Sequence, residues 1–169
     1  GDLVNLVFPL GNGFTTADMS QQTVLLVGGG VGIAPLLHLG RVLAQNGNKV
    51  QFLLGFRTKA DILPLNAYKE VGEVCITTED GSEGEKGFVT NHSLWNNPGW
   101  ARIYSCGPTP MMKAVVQMAR NKNIDCEVSL ENKMACGVGA CLCCVTQTQE
   151  GHKCVCTDGP VFNSNELPW

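Results

Sequence analysis

Thr23-Val-Leu-Leu-Val-Gly-Gly29-Gly30-Val31-Gly32-Ile33-Ala34-Pro35 decides the fold of this chain. Residues 23–29 form an unbroken apolar run, the pattern of a strand buried on both faces of a parallel sheet. A helix follows from about Ala34 to Asn46 and is stopped by Gly47. Between them, the glycines let the backbone come close to a diphosphate, and the helix behind aims its positive end and free N–H groups at that anion. Pro35 suits the first turn, where its missing N–H has no intrahelical partner to lose. The segment departs from the strict G-x-G-x-x-G fingerprint, because Ile33 stands where the third glycine belongs. No Gly-Lys-Ser/Thr follows, so it is not a Walker A loop. A glycine turn needed only for tight packing is the plainer alternative.

Outward from this stretch, strand and helix patterns alternate. A second strand is expected at 49–55, a weaker helix at 63–70, a short strand at 73–77, a polar loop at 78–87 and a helix near 88–95. Strand four is Arg102-Ile-Tyr-Ser-Cys106. Thr109 then offers an N-cap and Pro110 an N1 residue for a helix with apolar residues at Met112, Val115, Val116 and Ala119. A fifth strand at about 125–130 ends the alternation. The expectation is an α/β fold, a five-stranded doubly wound parallel sheet.

Open sheets of this kind bind ligands beyond the carboxyl ends of their strands. Cys106-Gly107-Pro108 falls there, as the glycine turn does. Cys106 could face a nicotinamide, or be simply a small buried residue. Cys75 and Cys126, on expected strands, read as core. His38 reads as packing or capping within its helix, and His92 and His152 have no metal-ligand spacing. Arg57 and Lys59 could meet a ribose or phosphate, or lie solvated on the surface. No acidic residue sits close after strand two to receive a ribose 2′-hydroxyl.

Beyond Glu131 the character changes to cysteines, glycines and short polar runs. Cys136, Cys141 and Cys144 are spaced C-x4-C-x2-C, the start of a plant-type [2Fe–2S] ligand pattern that needs one more cysteine downstream. Such a loop must wrap closely, with amides turned towards the sulfurs, and Gly137 and Gly139 suit it. Cys154 and Cys156 both qualify as the fourth ligand, since an extended stretch would put them on one face. Cys156 is favoured because Thr-Asp-Gly-Pro directly after it signals a turn. Cys144 is favoured over Cys143, which would shorten C-x2-C to C-x-C. A zinc site is the competing reading, but only one C-x2-C knuckle is present. Nine cysteines in 169 residues fall short of the roughly 8–10% that marks a short disulfide scaffold.

A net charge of −3 with 16% charged residues supplies no basic field for nucleic acid. The uncharged stretch 23–40 is interrupted by glycines, Pro35 and His38, and reads as a buried strand, turn and helix rather than a membrane span. A soluble, cytoplasmic protein is expected, where reduced thiols favour metal over disulfide. The chain opens on Gly1, and residues 3–8 alternate as a strand with no partner upstream, which would be marginal alone. A fragment, or a chain lacking an upstream domain, is expected.

Taken together, Gly28–Pro35, Tyr104–Pro108, Glu131–Cys141 and Cys156-Thr-Asp-Gly-Pro-Val-Phe162 resemble the ferredoxin reductase superfamily. Within it they are most similar to the electron-transfer subunits of NAD-dependent (type B) dihydroorotate dehydrogenase. The resemblance implies NAD at Gly28, Gly29, Gly30, Val31, Gly32, Ala34, Pro35, Cys106, Gly107 and Pro108. It implies a [2Fe–2S] cluster on Cys136, Cys141, Cys144 and Cys156; Cys143 and Cys154 are departures from the family pattern. It divides the chain into a remnant of the last strand and linker of an FAD-binding barrel (1–19), a nucleotide domain (20–130) and a cluster domain (131–169). The barrel residues that contact FAD lie outside this chain. The implied partner is an FMN-bearing dihydroorotate dehydrogenase catalytic subunit in a heterotetramer, serving pyrimidine synthesis. The rivals are a subunit of a sulfide, sulfite or ferredoxin-linked reductase, and a redox-inactive metal-binding fragment. No catalytic residue is assigned.

Overall fold

The structure, a computed structural model, describes residues 1–97 and 99–169. The apolar run is strand β1, Thr23–Gly29, at the centre of the sheet. Around it lie β2 (Lys49–Phe56), β3 (Glu73–Thr78), β5 (Arg102–Cys106) and β6 (Asp125–Ser129), all paired in parallel. These are the five strands expected from the sequence. Two short additions complete a seven-stranded sheet of order β4-β3-β2-β1-β5-β6-β9: β4 (Glu85–Lys86) at one edge and antiparallel β9 (Val161–Asn163) at the other. A separate hairpin pairs β7 (Val145–Thr148) with β8 (Gly151–Cys154).

Alternation along β1 sorts its side chains into two cores, one on each face of the sheet. Val24 and Leu26 pack with Phe52, Leu54 and the buried face of helix α1 (Ile33–Gln45). Leu25 and Val27 pack with Ile103, Trp95, Trp100 and helix α3 (Thr109–Asn121), whose Met112, Val115, Val116 and Ala119 form the expected stripe. Full burial of each such large side chain contributes about 1.5–3 kcal/mol. Cys144, Val155, Cys156, Phe162 and Leu167 join this second core. The C-terminal segment is thus packed on the nucleotide-type sheet as well as paired to it through β9.

Four expectations are corrected. Residues 3–8 form no strand and leave Leu3, Val4, Leu6, Val7 and Phe8 exposed, because an extended segment without a ladder partner gains nothing from its backbone groups. The helix expected near 88–95 is two successive 3-10 turns, Val89–Asn91 and Ser93–Asn96. Each is closed by its own side chain: Asn91 accepts the Phe88 N–H, and His92 Nδ1 accepts the Leu94 N–H, so local bonds displace a continuous helical ladder. The weak helix at 63–70 shrinks to α2, Asn66–Lys69. Helix α3 starts one residue early, with Pro108 at the N-cap, so Thr109 makes no side-chain cap bond. Among the described residues no helix is long and apolar enough to cross a membrane.

Candidate functional site

β1 delivers the glycine turn, Gly30–Gly32, to the start of α1, whose first turn carries no acidic residue and no side-chain cap. Its leading amides are therefore left without a side-chain partner, as an anion site requires. β5 runs beside β1 and delivers Cys106 and Gly107 to the same edge. The two segments meet: a Cβ on Gly32 would lie 2.5 Å from the Cys106 carbonyl oxygen. Only glycine permits that approach. Gly30, at φ +55°, faces open space, so the backbone itself is presented there.

Two cavities open from this turn. The smaller, about 250 Å³, is lined by Gly29–Gly32, Gly107, Pro108, Thr109, Met112 and Glu131. The larger, about 750 Å³, runs from Gly29 and Gly30 past the ends of β2 and β3, a size suited to a cofactor or drug-sized ligand. Gly29, Gly30, Val31, Gly32, Gly107 and Pro108 are brought together as the sequence anticipated. Gly28, Ala34, Pro35 and Cys106 line neither cavity. Gly28 is a buried strand residue under Ile33 and Leu36, and Ala34 and Pro35 sit in the exposed first turn of α1. The Cys106 side chain lies against the α1 core, and burial pushes its thiol up.

Sequence reasoning missed Glu131, Thr77, Phe88, Asp61 and Glu79, because the fold gathers them from separate strands and loops. Asp61, five residues past β2, and Glu79, directly after β3, both line the larger cleft, with Arg57 beside them. Asp61 arrives there through the turn Lys59–Asp61, where it caps Thr58. Lys59 instead pairs with Glu83 at 2.8 Å in solvent. His38 and His152 stand exposed, while Cys126 is buried and Cys75 packs against the core.

In the cysteine loop, Gly137 (φ +70°), Gly139 (φ +76°) and Leu142 (φ +57°) bend the chain into left-handed turns. That curvature turns amides inward. Val138 and Cys141 donate N–H bonds to Cys136 Sγ, each at 3.4 Å, and Cys143 donates to Cys141 Sγ at 3.5 Å. Downstream, Cys156 donates its N–H to Cys144 Sγ at 3.4 Å. Cys154 ends β8, and its carbonyl accepts the N–H groups of Thr157 and Asp158, closing the turn anticipated at Thr-Asp-Gly-Pro. The chain is therefore not extended through Cys156, and the premise of a shared face with Cys154 does not hold.

Backbone N–H donors favour the thiolate. The amides of Val138 and Cys141 bring the Cys136 thiol down to about 6, and the Cys156 amide lowers that of Cys144. Cys156 moves the other way, through its hydrogen bond with Cys144 and through burial. Among the described residues no group of three or more His, Cys, Asp or Glu is drawn around one ion position. Amides aimed at three cysteine sulfurs and a tight glycine loop fit an iron–sulfur cluster better than a single tetrahedral zinc ion.

Residues 131–168 match the family model described as the iron-sulfur cluster binding domain of dihydroorotate dehydrogenase B, and residues 26–117 match the oxidoreductase NAD-binding domain. The chain is 44% identical to the dihydroorotate dehydrogenase B (NAD(+)) electron transfer subunits of Shouchella clausii and of Caldanaerobacter subterraneus. Those matches cover 99% of this chain and 66% and 67% of the relatives, so the chain spans about two thirds of their length. Among solved structures, a chain of the NADH-dependent reduced ferredoxin-NADP oxidoreductase superposes with a TM-score of 0.85 at 35% identity. That match covers 98% of this chain and 60% of the other.

Proposed function

This chain belongs to the family of dihydroorotate dehydrogenase B electron transfer subunits, and from that premise we propose that it carries electrons between NAD and a catalytic partner. A cluster of this type passes one electron at a time, whereas a nicotinamide exchanges a hydride, two electrons together, so a flavin is the customary converter between them. In this reading Gly29–Gly32 and the start of α1 receive the diphosphate, and Gly107, Pro108 and Glu131 border the nicotinamide half. Cys136, Cys141, Cys144 and Cys156 would hold the [2Fe–2S] cluster, which would supply one-electron transfer. The amides of Val138, Cys141, Cys143 and Cys156 stabilise the negative sulfurs.

The carrying observation is the set of amides aimed at the sulfurs of Cys136, Cys141 and Cys144, in the segment that continues from Glu131 in the nucleotide cavity. Cys143 directs its amide to Cys141, and Cys154 closes the following turn through its carbonyl, so neither is assigned as a ligand. Residues 20–130 form the nucleotide unit and 131–169 the cluster unit. Residues 1–19 lead in from an FAD-binding barrel of the whole protein.

Met134, Val138 and Leu142 stand exposed around the cysteine loop. Apolar groups so placed suit a partner's surface, here the FMN-bearing dihydroorotate dehydrogenase catalytic subunit, in a cytoplasmic heterotetramer of pyrimidine synthesis. Electrons from dihydroorotate would then reach NAD+ through this subunit. The test is to mix the intact protein with that catalytic subunit and dihydroorotate and to follow NAD+ reduction. Reduction that needs both proteins is expected; none with a fully loaded pair would refute the assignment. The likeness to the ferredoxin-NADP oxidoreductase chain favours one second reading, a ferredoxin-linked partner. Ferredoxin-dependent turnover without response to dihydroorotate would select it.

A further inference from the structure

The turn that carries Cys156 is braced twice, once by its own residues and once from the other end of the chain. Within it, the Cys154 N–H donates to Asp158 Oδ2 at 2.7 Å, and the Cys154 carbonyl accepts the Asp158 N–H at 2.8 Å. These reciprocal bonds close a ring around Val155, Cys156 and Thr157, which fixes its internal shape. How that ring sits against the rest of the cysteine loop is a separate matter, and it falls to Asn12.

Asn12 Nδ2 donates to the Asp158 carbonyl at 3.1 Å and, more weakly, to the Thr157 carbonyl at 3.4 Å. Its backbone N–H donates to the Gly159 carbonyl at 2.5 Å, and its own carbonyl accepts the Val161 N–H at 3.4 Å. Gly11, at φ +55°, permits the approach, since a Cβ there would lie 1.8 Å from the Gly159 carbonyl oxygen. The same segment reaches the other arm of the loop. Leu10 and Val7 place side-chain carbons 3.4 and 3.5 Å from where Gly137 would carry a Cβ. Asn12 thus stands far outside residues 131–168, the span of the cluster-domain match, yet it grips the residues that directly follow Cys156.

The Cys156 N–H points at Cys144 Sγ from 3.4 Å, so a tilt of the ring moves that donor. Hydrogen bonds to the sulfurs help set the reduction potential of an iron–sulfur centre, and groups behind metal ligands hold those ligands in orientation. We propose that Asn12 is a positioning residue for the cluster: its side-chain amide seats the Cys154–Asp158 turn and thereby keeps the Cys156 N–H on the Cys144 sulfur. The inference rests on the [2Fe–2S] reading given above and adds to it a residue from the N-terminal segment. Asn12 acts through the turn and is not a ligand.

The test uses the intact protein, purified without air, and needs no turnover. Asn12→Ala removes the side-chain donors, and Asn12→Asp keeps the shape but presents only acceptors to the two carbonyls. Each variant should lose iron to EDTA about tenfold faster than the unaltered protein, the low end for changes behind metal ligands. Potentiometric titration followed by electron paramagnetic resonance should show a shift to lower potential. Arg102→Ala, which frees Asp18 further along the same segment, should change neither reading. Thermal melting checks folding, and iron and acid-labile sulfide counts check loading. A folded Asn12→Ala that holds no iron, beside a loaded Arg102→Ala, also supports the proposal. Unchanged iron release and potential in folded, loaded Asn12 variants would overturn it while the cluster reading stands. So would an equal effect from Arg102→Ala, which would trace the change to docking of the segment as a whole. If the unaltered protein carries no iron and no sulfide, the cluster reading has failed and takes this inference with it.

Discussion

The N–H of Cys156 points at the sulfur of Cys144 from 3.4 Å, although twelve positions separate them in the chain. Both residues are buried in the core shared with α3, whereas Cys136 is half-buried and Cys141 exposed on the preceding loop. Cys154, the competing ligand, gives its carbonyl to the turn that brings Cys156 into place. Cys156→Ser should therefore lose most of the bound iron, and Cys154→Ser should keep it. Iron and acid-labile sulfide counts on the anaerobically purified variants decide this; the opposite pattern would exchange the two roles.

The amides on Cys136 also predict a reactivity order in cofactor-free protein. Its thiol sits at about 6, so above that pH it is mostly thiolate, and the fraction falls as pH drops through 6. Cys126 is pushed up to about 12 by burial and stays a protonated thiol across the neutral range. At pH 7, iodoacetamide followed by peptide mass mapping should label Cys136 well ahead of Cys126 and Cys106. The rate at Cys136 should decline on acidification towards pH 5.

Gly32→Ala should be costly at a position that looks innocuous. The added methyl would meet the Cys106 carbonyl at 2.5 Å and the Gly107 Cα at 2.7 Å, both backbone atoms with little room to yield. A destabilisation of about 1–3 kcal/mol is expected from overpacking. It should lower the urea midpoint and weaken NADH binding together, because the same shift moves the amides of the turn.

Much of this was legible locally. The apolar run of β1, the glycine turn and the stripe of α3 each lie in one continuous segment, and each formed where periodicity placed it. What was not legible depends on partners distant in the chain. β9 is only three residues long and exists because Glu127–Ser129 offers it an edge. Residues 3–8 had the alternation of a strand and found no such edge. Phe88 and Glu131 carry no motif, and they line the cavities only because the sheet and its loops bring them to the ends of the strands. The helix expected near 88–95 gives way to two turns because side-chain acceptors on Asn91 and His92 outcompete the backbone ladder.

Arg102 supplies a pH-dependent tie between the N-terminal segment and the sheet. It makes a two-pronged contact with Asp18 (3.1 and 2.9 Å) and a further bond to Asp125 at 2.8 Å. The bond from Arg102 holds the Asp18 carboxyl below its ordinary value. A carboxyl depressed on folding adds stability above its unfolded value, and that stability disappears as pH falls through the folded value. Arg102→Ala should cost about 1–2 kcal/mol at pH 7, discounted for the exposed carboxylates. Urea midpoints of variant and unaltered protein should converge as pH is lowered towards 3.

The most direct measurement is the metal content of the intact protein purified without air. About two irons and two acid-labile sulfides per chain are predicted, as a [2Fe–2S] cluster requires, with loss of both when Cys136 or Cys144 is replaced by serine. A single zinc with no sulfide, or iron unaffected by those replacements, would contradict the account.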